Sequence, residues 1–228
     1  MVHLFTRHRP AAQSRGEDTR RRILETALQV FATEGYEGAS TRQLAERAGV
    51  NLPAIQYYFG SKEGLFRAVI DSIIERTEQH MEPLAGEVQA ALARADTPRD
   101  VLLELLCRML EAFVSLVTGG PHVEAKRLLF ARSEVEDTPG LELLHESGMH
   151  HVFTPCFELV ARLTDGTADD EEAELRATAL LGQVTIFCHK GAHASGLTPE
   201  RVHIVQRLVR EHTHAIFRAV HSKVPVRQ

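Results

Sequence analysis

The chain of 228 residues lacks the sequence features that mark secreted and membrane-spanning proteins. No apolar run approaches the roughly 20 residues that a helix needs to cross a bilayer, and the N-terminus carries basic residues without the apolar core of a signal peptide. Cysteine is scarce. The three cysteines are odd in number and widely separated, which argues against a disulfide framework and favours a reducing compartment: Cys107, Cys156 and Cys188. We therefore expect a cytoplasmic protein.

Motifs of enzyme chemistry are also missing. The sequence contains no nucleophile elbow, no glycine loop that would cradle a phosphate and no metal-protease motif. A Ser/His/Asp set could be assembled from the 13 histidines and many carboxylates, but any chain of this size offers one. We predict neither a catalytic residue nor a cofactor.

The histidines leave one alternative open, a regulator that senses a metal or a redox change. Three groups could each seed a metal site: His150–His151, the pair His189 and His193 beside Cys188, and the pair His212 and His214. No segment holds a complete ligand set at metal spacing, so we interpret these side chains as polar residues on helix surfaces and at a dimer interface, and we predict no metal ligand.

Segments of β-type alternation and internal repeats are absent as well, and apolar residues recur instead at helical spacing. This periodicity predicts an all-α fold, with 43% hydrophobic residues for a packed core. Pro83 and several Gly/Pro pairs separate the predicted segments. The expected helices span 19–34, 61–79, one that begins at 98, and about 121–134, 141–163, 169–193 and 199–221.

One stretch, residues 40–59, predicts two short helices joined by a glycine turn. Ser40 is suited to cap the first helix, with Gln43 at the reciprocal position of a capping box. Gly49 can take the left-handed conformation that ends this helix. Asn51 can cap the second helix, and Pro53 is tolerated in its first turn. These signals together predict a helix-turn-helix.

The two faces of this segment differ. Apolar anchors are predicted at Leu44, Val50, Ile55 and Phe59. Other side chains are left facing outward at a spacing that fits a DNA major groove: Leu52, Ala54, Gln56 and Tyr57.

Charge is divided unevenly along the chain. Residues 1–64 hold nine Lys/Arg against seven Asp/Glu, and the remainder holds 17 against 24. The basic end suits phosphate contacts, which need local positive charge, and the acidic remainder limits nonspecific DNA binding. We interpret residues 1–16 as a disordered arm, either a solvated tail, which we favour, or an arginine arm reaching a minor groove.

The residues from Thr19 to Phe66 resemble the DNA-binding domain of the tetracycline-repressor (TetR) family. The resemblance is carried in order by Arg20–Leu24, Phe31, Gly35–Tyr36, Thr41, Ala45, Gly49–Val50, Tyr57–Phe59 and Ser61–Glu63. The later segments Arg127–Arg132, Leu181–Gln183 with Phe187, and His212–Phe217 resemble, more loosely, the effector domain of the family's CecR-like branch, which is associated with the control of efflux transporters. Such domains often carry Arg-Glu where this chain has Arg132-Ser133-Glu134.

The resemblance implies an N-terminal three-helix DNA-binding domain and a C-terminal helical domain for ligand binding and dimerisation. We expect the arm at 1–16, the DNA-binding domain at 17–77 and the effector domain at 78–228. The implied function is a homodimeric repressor that binds a palindromic operator in double-stranded DNA and is released by a small, mostly apolar molecule. An activator or a ligand-independent DNA-binding protein is the alternative within DNA binding.

The implied sites follow from matched positions. Bases would be met by Arg42, Leu52, Pro53, Ala54 and Gln56. Phosphates and the helix ends would involve Thr41, Asn51, Tyr57, Tyr58 and Lys62. The effector pocket is expected between the inner faces of the helices from 98 to 190. Its candidate lining residues, each of which we favour as plain core over a direct ligand contact, are Met109, Phe113, Leu116, Phe130, Phe153, Phe157 and Phe187. Dimerisation would use helices around 171–189 and 201–219, and the helix from Ser61 to Gln79 would link the two sites.

Overall fold

The computed structural model describes residues 11–133, 136, 138, 140–166, 170–186 and 197–221. All regular secondary structure in those ranges is helical, which confirms the predicted all-α class. The chain divides into two compact units, residues 1–71 and 72–228. No helix in the described ranges is long and apolar enough to cross a bilayer.

The smaller unit is built from three helices and the start of a fourth. They are α1 (Ala11–Gly38), α2 (Thr41–Arg47), α3 (Leu52–Phe59) and α4 (Lys62–Leu92). Gly35 interrupts α1 with φ 76° and ψ 171°, at the position where the sequence predicts its end. Its left-handed φ is one that L side chains rarely adopt.

Helix α1 begins well before the predicted Thr19, so residues 11–16 of the expected disordered arm are helical; residues 1–10 lie outside the described ranges. The additional turns pack on the unit, because a Cβ at Gly16 would lie 3.6 Å from the Tyr58 hydroxyl. Arg21 also pairs with Asp18 one turn earlier, at 2.8 Å.

An aromatic cluster forms the core of the smaller unit. The Phe31 and Phe66 ring centroids lie 5.0 Å apart edge to face, and Tyr36 stands 5.0 Å from Phe66. Such pairs contribute beyond their buried area. Buried aliphatic side chains from all four helices complete the core: Ile23, Ala27, Leu44, Ile55 and Leu65.

In the ranges that the structure describes, the larger unit contains the rest of α4 and six further α-helices. These are α5 (Arg99–Thr118), α6 (Val123–Ser133), α7 (Leu141–Gly148), α8 (Thr154–Leu163), α9 (Glu171–Thr185) and α10 (Pro199–His221). Helix α5 packs against α8, α9 and α10 and is the centre of the core. Fully buried side chains of α5 include Leu106, Met109, Leu110 and Val114.

Two further predicted helix boundaries are wrong. Helix α4 was expected to end near Gln79, before Pro83, but it continues to Leu92. An internal proline costs about 3 kcal/mol. Burial on both sides of Pro83 offsets that cost, because Met81, Leu84 and Val88 are all in the core of the larger unit.

The second difference lies in the predicted helix 141–163, which is two helices separated by a π-helical turn, Met149–Phe153. A π turn accommodates one extra residue per turn at an apolar interface. Val152 is buried there and Phe153 packs on the core, so tertiary packing decides the local geometry. Helix α9 ends at Thr185; the remainder of its predicted range, from 187 on, lies outside the described residues.

Arg210 of α10 joins two carboxylates of α5. Its Nε donates to Glu111 at 2.5 Å, and its Nη1 and Nη2 donate to Glu104 at 2.7 and 3.1 Å. The Arg210 guanidinium lowers the pKa of Glu104. This bidentate geometry fixes the register of α10 on α5.

Candidate DNA-binding surface and effector cavity

The turn between α2 and α3 has the predicted local geometry. Ser40 Oγ accepts a hydrogen bond from the Gln43 backbone N–H at 3.2 Å, and Asn51 Oδ1 accepts one from Ala54 N–H at 3.1 Å. Gly49 has φ 62°, the left-handed conformation expected of it. The predicted caps and glycine turn are therefore confirmed, and they set the direction in which α3 leaves α2.

The Gln43 side chain has a different role from the predicted one. Instead of completing a capping box with Ser40, its amide donates to the Glu34 carboxylate at 2.9 and 3.0 Å. Arg47 Nη2 lies 2.9 Å from the same carboxylate. Glu34 thus ties both ends of α2 to the end of α1, a contact that the sequence analysis missed because it joins residues nine or more positions apart.

Helix α3 buries one side and exposes the other. Ile55 is buried, whereas Leu52 is 48% exposed and Tyr57 is 82% exposed. Pro53 and Gln56 are also exposed and Ala54 is half-buried. Leu52 with Gln56, and Pro53 with Tyr57, are each four residues apart and share a face. A group of large apolar and aromatic side chains left exposed on one helix face indicates a contact surface.

Predicted phosphate ligands lie at helix starts in the same unit. Thr41 is the first residue of α2, with Arg42 exposed beside it, and Lys62 is the first residue of α4. The Lys62 ammonium stands 4.3 Å from the Tyr36 ring centroid, an arrangement that orients it without neutralising its charge. Tyr58 is half-buried and joins Asn51 and Tyr57 in lining a shallow depression.

The larger unit contains a cavity of about 100 Å³ between α4, α5, α6, α7 and the π turn. Four of the predicted lining residues contribute to it: Phe113, Leu116, Phe130 and Phe153. Two others do not. Met109 is fully buried in the core one turn before Phe113, and Phe157 packs beside Phe153 at 6.2 Å outside the lining. On α5, residues of the same helix therefore contribute in part to the core and in part to the cavity wall. Phe187 lies outside the described residues.

Polar lining residues were missed by the sequence analysis, which sought only apolar ones. Three cations line the cavity, Arg76 of α4 with Lys126 and Arg127 of α6, together with Thr77 and Ser147. Burial lowers the pKa of Lys126, and the charge of Arg76 lowers it further. The available signal was the pair Lys126 and Arg127, which directly precedes the apolar run Leu128–Phe130 of α6.

The residues of the metal and redox alternative show no assembled site in the part of the chain that the structure describes. Burial raises the pKa of the Cys107 thiol to about 11 and that of Cys156 to about 12, so both are protonated at neutral pH. Cys188, His189 and His193 lie outside the described residues. Within the described ranges no group of three or more metal-ligating side chains converges.

This chain has a helix-turn-helix in one helical unit and a lined cavity in a second. Its architecture is that of the two-domain helical DNA-binding regulators. Comparison with known proteins specifies the family. Residues 23–69 match the model for bacterial regulatory proteins of the tetR family, and residues 102–220 match the C-terminal domain of the HTH-type transcriptional dual regulator CecR. The chain belongs to the TetR family of transcriptional regulators and carries a CecR-type C-terminal domain.

Individual relatives agree with this assignment. The chain is 30% identical to the HTH-type transcriptional dual regulator CecR of Shigella flexneri over 178 residues, 78% of this chain and 79% of that protein. It is 34% identical to the HTH-type transcriptional repressor NicS of Pseudomonas putida over 109 residues, 48% of each chain.

Solved structures share the fold. AibR, in complex with isovaleryl coenzyme A and operator DNA, has a TM-score of 0.58 at 19% identity, covering 84% of this chain and 96% of that one. A TetR transcription regulator from Haloarcula marismortui also has a TM-score of 0.58, at 15% identity, covering 87% and 98%.

Proposed function

We propose that the protein is a homodimeric, ligand-responsive transcriptional repressor that binds a palindromic operator and leaves it when a small molecule enters the cavity of the larger unit. The observation that carries the proposal is the exposed face of α3, with Leu52 and Tyr57 in water on the second helix of a capped helix-turn-helix. A DNA-binding unit of about residues 17–77, preceded by the arm, and an effector unit from 78 on are part of this proposal.

The candidate contact residues of α2, α3 and the start of α4 divide by chemistry into base readers and phosphate binders. Gln56 has amide geometry suited to the adenine edge, and Arg42 has the fork suited to guanine, while Leu52, Pro53 and Ala54 suit thymine methyls. The hydroxyls of Thr41 and Tyr58 and the Lys62 ammonium favour anionic oxygen without reading sequence. Two such faces related by a two-fold axis would enter major grooves about 34–36 Å apart.

Replacing a base reader and replacing a phosphate binder should give different results. Gln56→Ala is expected to relax preference at one base pair per half-site by about 1–3 kcal/mol, with an unchanged salt slope. Lys62→Ala is expected to weaken all DNA alike and to shallow the slope of log affinity against log salt by about one per protomer. Selection from a random duplex library, followed by anisotropy titrations at several salt concentrations, measures both quantities.

Each variant is the control for the other. An unchanged consensus for Gln56→Ala would remove that residue from base readout, and a sequence-selective loss with constant salt slope would remove Lys62 from the phosphate contacts. If the selection enriches no sequence with the wild-type protein, the proposed repressor function is wrong.

The dimerisation surface is proposed on α9 and α10. Large apolar side chains are exposed on these helices and at the C-cap of α9: Leu175, Ile186, Ile204 and Leu208. Ile204 and Leu208 are four residues apart on one face of α10, so they form a continuous apolar strip. Two such surfaces would bury each other in a four-helix bundle with two-fold symmetry.

Ile204→Glu is expected to raise the dimer dissociation constant at least tenfold, which corresponds to a loss of about 1.4 kcal/mol of binding free energy. The reason is that dimerisation would then desolvate two carboxylates that have no compensating partner. Val101→Glu is the matched control, since Val101 is similarly exposed, 43% against 46%, but lies on α5. Sedimentation equilibrium at micromolar protein measures the difference. Equal dissociation constants for the two variants would exclude α10 from the interface.

Release is proposed to run through α4. This single helix begins with Lys62 and continues into the cavity wall with Ile73, Arg76 and Thr77. A ligand that favours another tilt or bend of α4 would change the spacing of the two recognition helices, and a shift of a few ångströms at each suffices to lose groove register.

A further inference from the structure

The effector cavity has an unbalanced charge in its lining. Arg76, Lys126 and Arg127 contribute cationic side chains, and none of the residues described as lining the cavity is Asp or Glu. Arg127 forms an ion pair with a carboxylate, because its Nη1 lies 3.5 Å from Glu124 Oε1. Neither Arg76 nor Lys126 forms an ion pair with any carboxylate in the described ranges.

The surroundings of the Lys126 ammonium disfavour its positive charge. The ammonium belongs to a half-buried side chain in the cavity lining, where burial and the charge of Arg76, another cation, both lower its pKa. Buried charges are normally paired, because desolvation without a partner is costly. A ligand anion bound by Arg76 and Lys126 would offset both the desolvation cost and the repulsion between the two cations.

A second polar atom in the cavity wall lacks a partner. Ser147 Oγ, on α7, is buried and makes no hydrogen bond to any atom in the described part of the chain. Buried hydroxyls are usually satisfied. Ser147 thus offers a donor in the same lining as the two cations, a combination that suits a carboxylate, whose oxygens accept several hydrogen bonds.

The rest of the lining limits the body of the ligand. Apart from the polar residues already named, the walls are aliphatic and aromatic, with Phe113, Phe130 and Phe153 prominent. The cavity of about 100 Å³ is far smaller than the roughly 300–1,000 Å³ of sites for drug-sized molecules. It is closer to the roughly 150 Å³ apolar cavity that accommodates a benzene ring.

We infer that the cavity binds a small monocarboxylate with an apolar body of about one aromatic ring, its carboxylate being held by Lys126, Arg76 and Ser147. This inference rests on the proposed effector function of the cavity and names the chemical class of the effector. Free phosphate has the charge but leaves the apolar walls unfilled, and a neutral aromatic molecule fills the walls but leaves the cations unpaired.

The test compares benzoate with its neutral isostere benzamide, using calorimetry on the full chain. Benzoate is expected to bind at least tenfold more tightly than benzamide, and acetate and inorganic phosphate more weakly than benzoate. Lys126→Met keeps an unbranched chain of similar length without charge and is expected to reduce the benzoate-to-benzamide ratio to near one. Arg201→Gln is the control, an exposed cation of α10 outside the cavity, and should preserve the wild-type ratio.

Folding of the variant is checked by its melting temperature. Lys126→Met is expected to melt no lower than wild type, because it removes a half-buried cation that lacks a carboxylate partner in the described ranges. If Lys126→Met folds poorly, Arg76→Gln is used in its place, because Arg76 is exposed. This variant is expected to lower the affinity for benzoate about threefold and to leave the affinity for benzamide unchanged.

The inference is overturned if benzamide binds wild type as tightly as benzoate, if phosphate matches benzoate, or if the ratio survives Lys126→Met. Operator release is measured separately by anisotropy. If a neutral apolar compound releases the operator while benzoate does not bind, the effector function stands and the carboxylate inference fails. If no compound changes operator binding but benzoate binds through Lys126, the cavity chemistry stands and ligand-responsive repression fails.

Discussion

Phe31→Ala is expected to destabilise the smaller unit by about 3–5 kcal/mol and to abolish operator binding. Phe31 has no exposed surface and packs edge to face on Phe66 at 5.0 Å, with Tyr36 stacked at 6.2 Å. Truncation leaves a cavity in the only aromatic cluster that holds α1 to α4 in the described part of this unit. A loss of this size approaches the whole stability of a small domain.

Amide hydrogen exchange locates the effect. Exchange should accelerate throughout α1–α3 in Phe31→Ala and stay unchanged in α5 and α8, whose core belongs to the larger unit. Tyr57→Ala is the matched control, an aromatic truncation at a side chain that is 82% exposed. It should weaken DNA binding without changing exchange. Native protection in α1–α3 of Phe31→Ala would contradict the role assigned to this cluster.

Operator DNA is expected to weaken effector binding by the same factor by which effector weakens operator binding, in the range of roughly 5–150-fold. Linkage requires this reciprocity if both ligands bias one equilibrium of α4. Benzoate is titrated calorimetrically into free protein and into the protein–operator complex, and the operator is titrated by anisotropy with and without saturating benzoate. Equal benzoate affinities in the two calorimetric titrations would exclude allosteric release by benzoate.

Two alanine-to-glycine variants of α4 test the route. Ala68 lies between Lys62 and the cavity wall that begins at Ile73, whereas Ala90 lies beyond that wall. Each glycine costs helix stability by about 1 kcal/mol. Ala68→Gly is expected to reduce the coupling factor and Ala90→Gly to preserve it, because only the first softens the segment that joins the two sites. Equal coupling in both variants would mean that α4 does not transmit the signal.

Local sequence signals predicted the helix-turn-helix accurately. The caps at Ser40 and Asn51 and the turn at Gly49 depend on side chains that bond the backbone within three residues, so they are readable without tertiary information. The Glu34 contacts to Gln43 and Arg47 were not readable, because they depend on how α1 meets α2.

Boundaries inside the larger unit were harder to predict for the same reason. Pro83 is a local stop signal, yet core burial of Met81 and Leu84 carries α4 past it. For the cavity, the aromatic wall could be predicted from apolar helix faces, but the cations could not. Whether Lys126 snorkels into water or lines a cavity depends on its neighbours in three dimensions.

The π turn at Met149–Phe153 is a place where a change of one residue in the sequence would alter the wall of the cavity. It contributes Val152 and Phe153 to the wall, and it contains one residue more than an α-helical turn needs. Deleting one residue there would restore an ordinary α-helix. Because the π turn absorbs the extra residue, the helices on either side would keep nearly the same faces toward the core, while the side chains of the turn itself would move. A different side chain would then replace Phe153, while the cationic wall on α4 and α6 stayed in place. A deletion of one residue would thus change the shape of the cavity without altering any residue of α2 or α3.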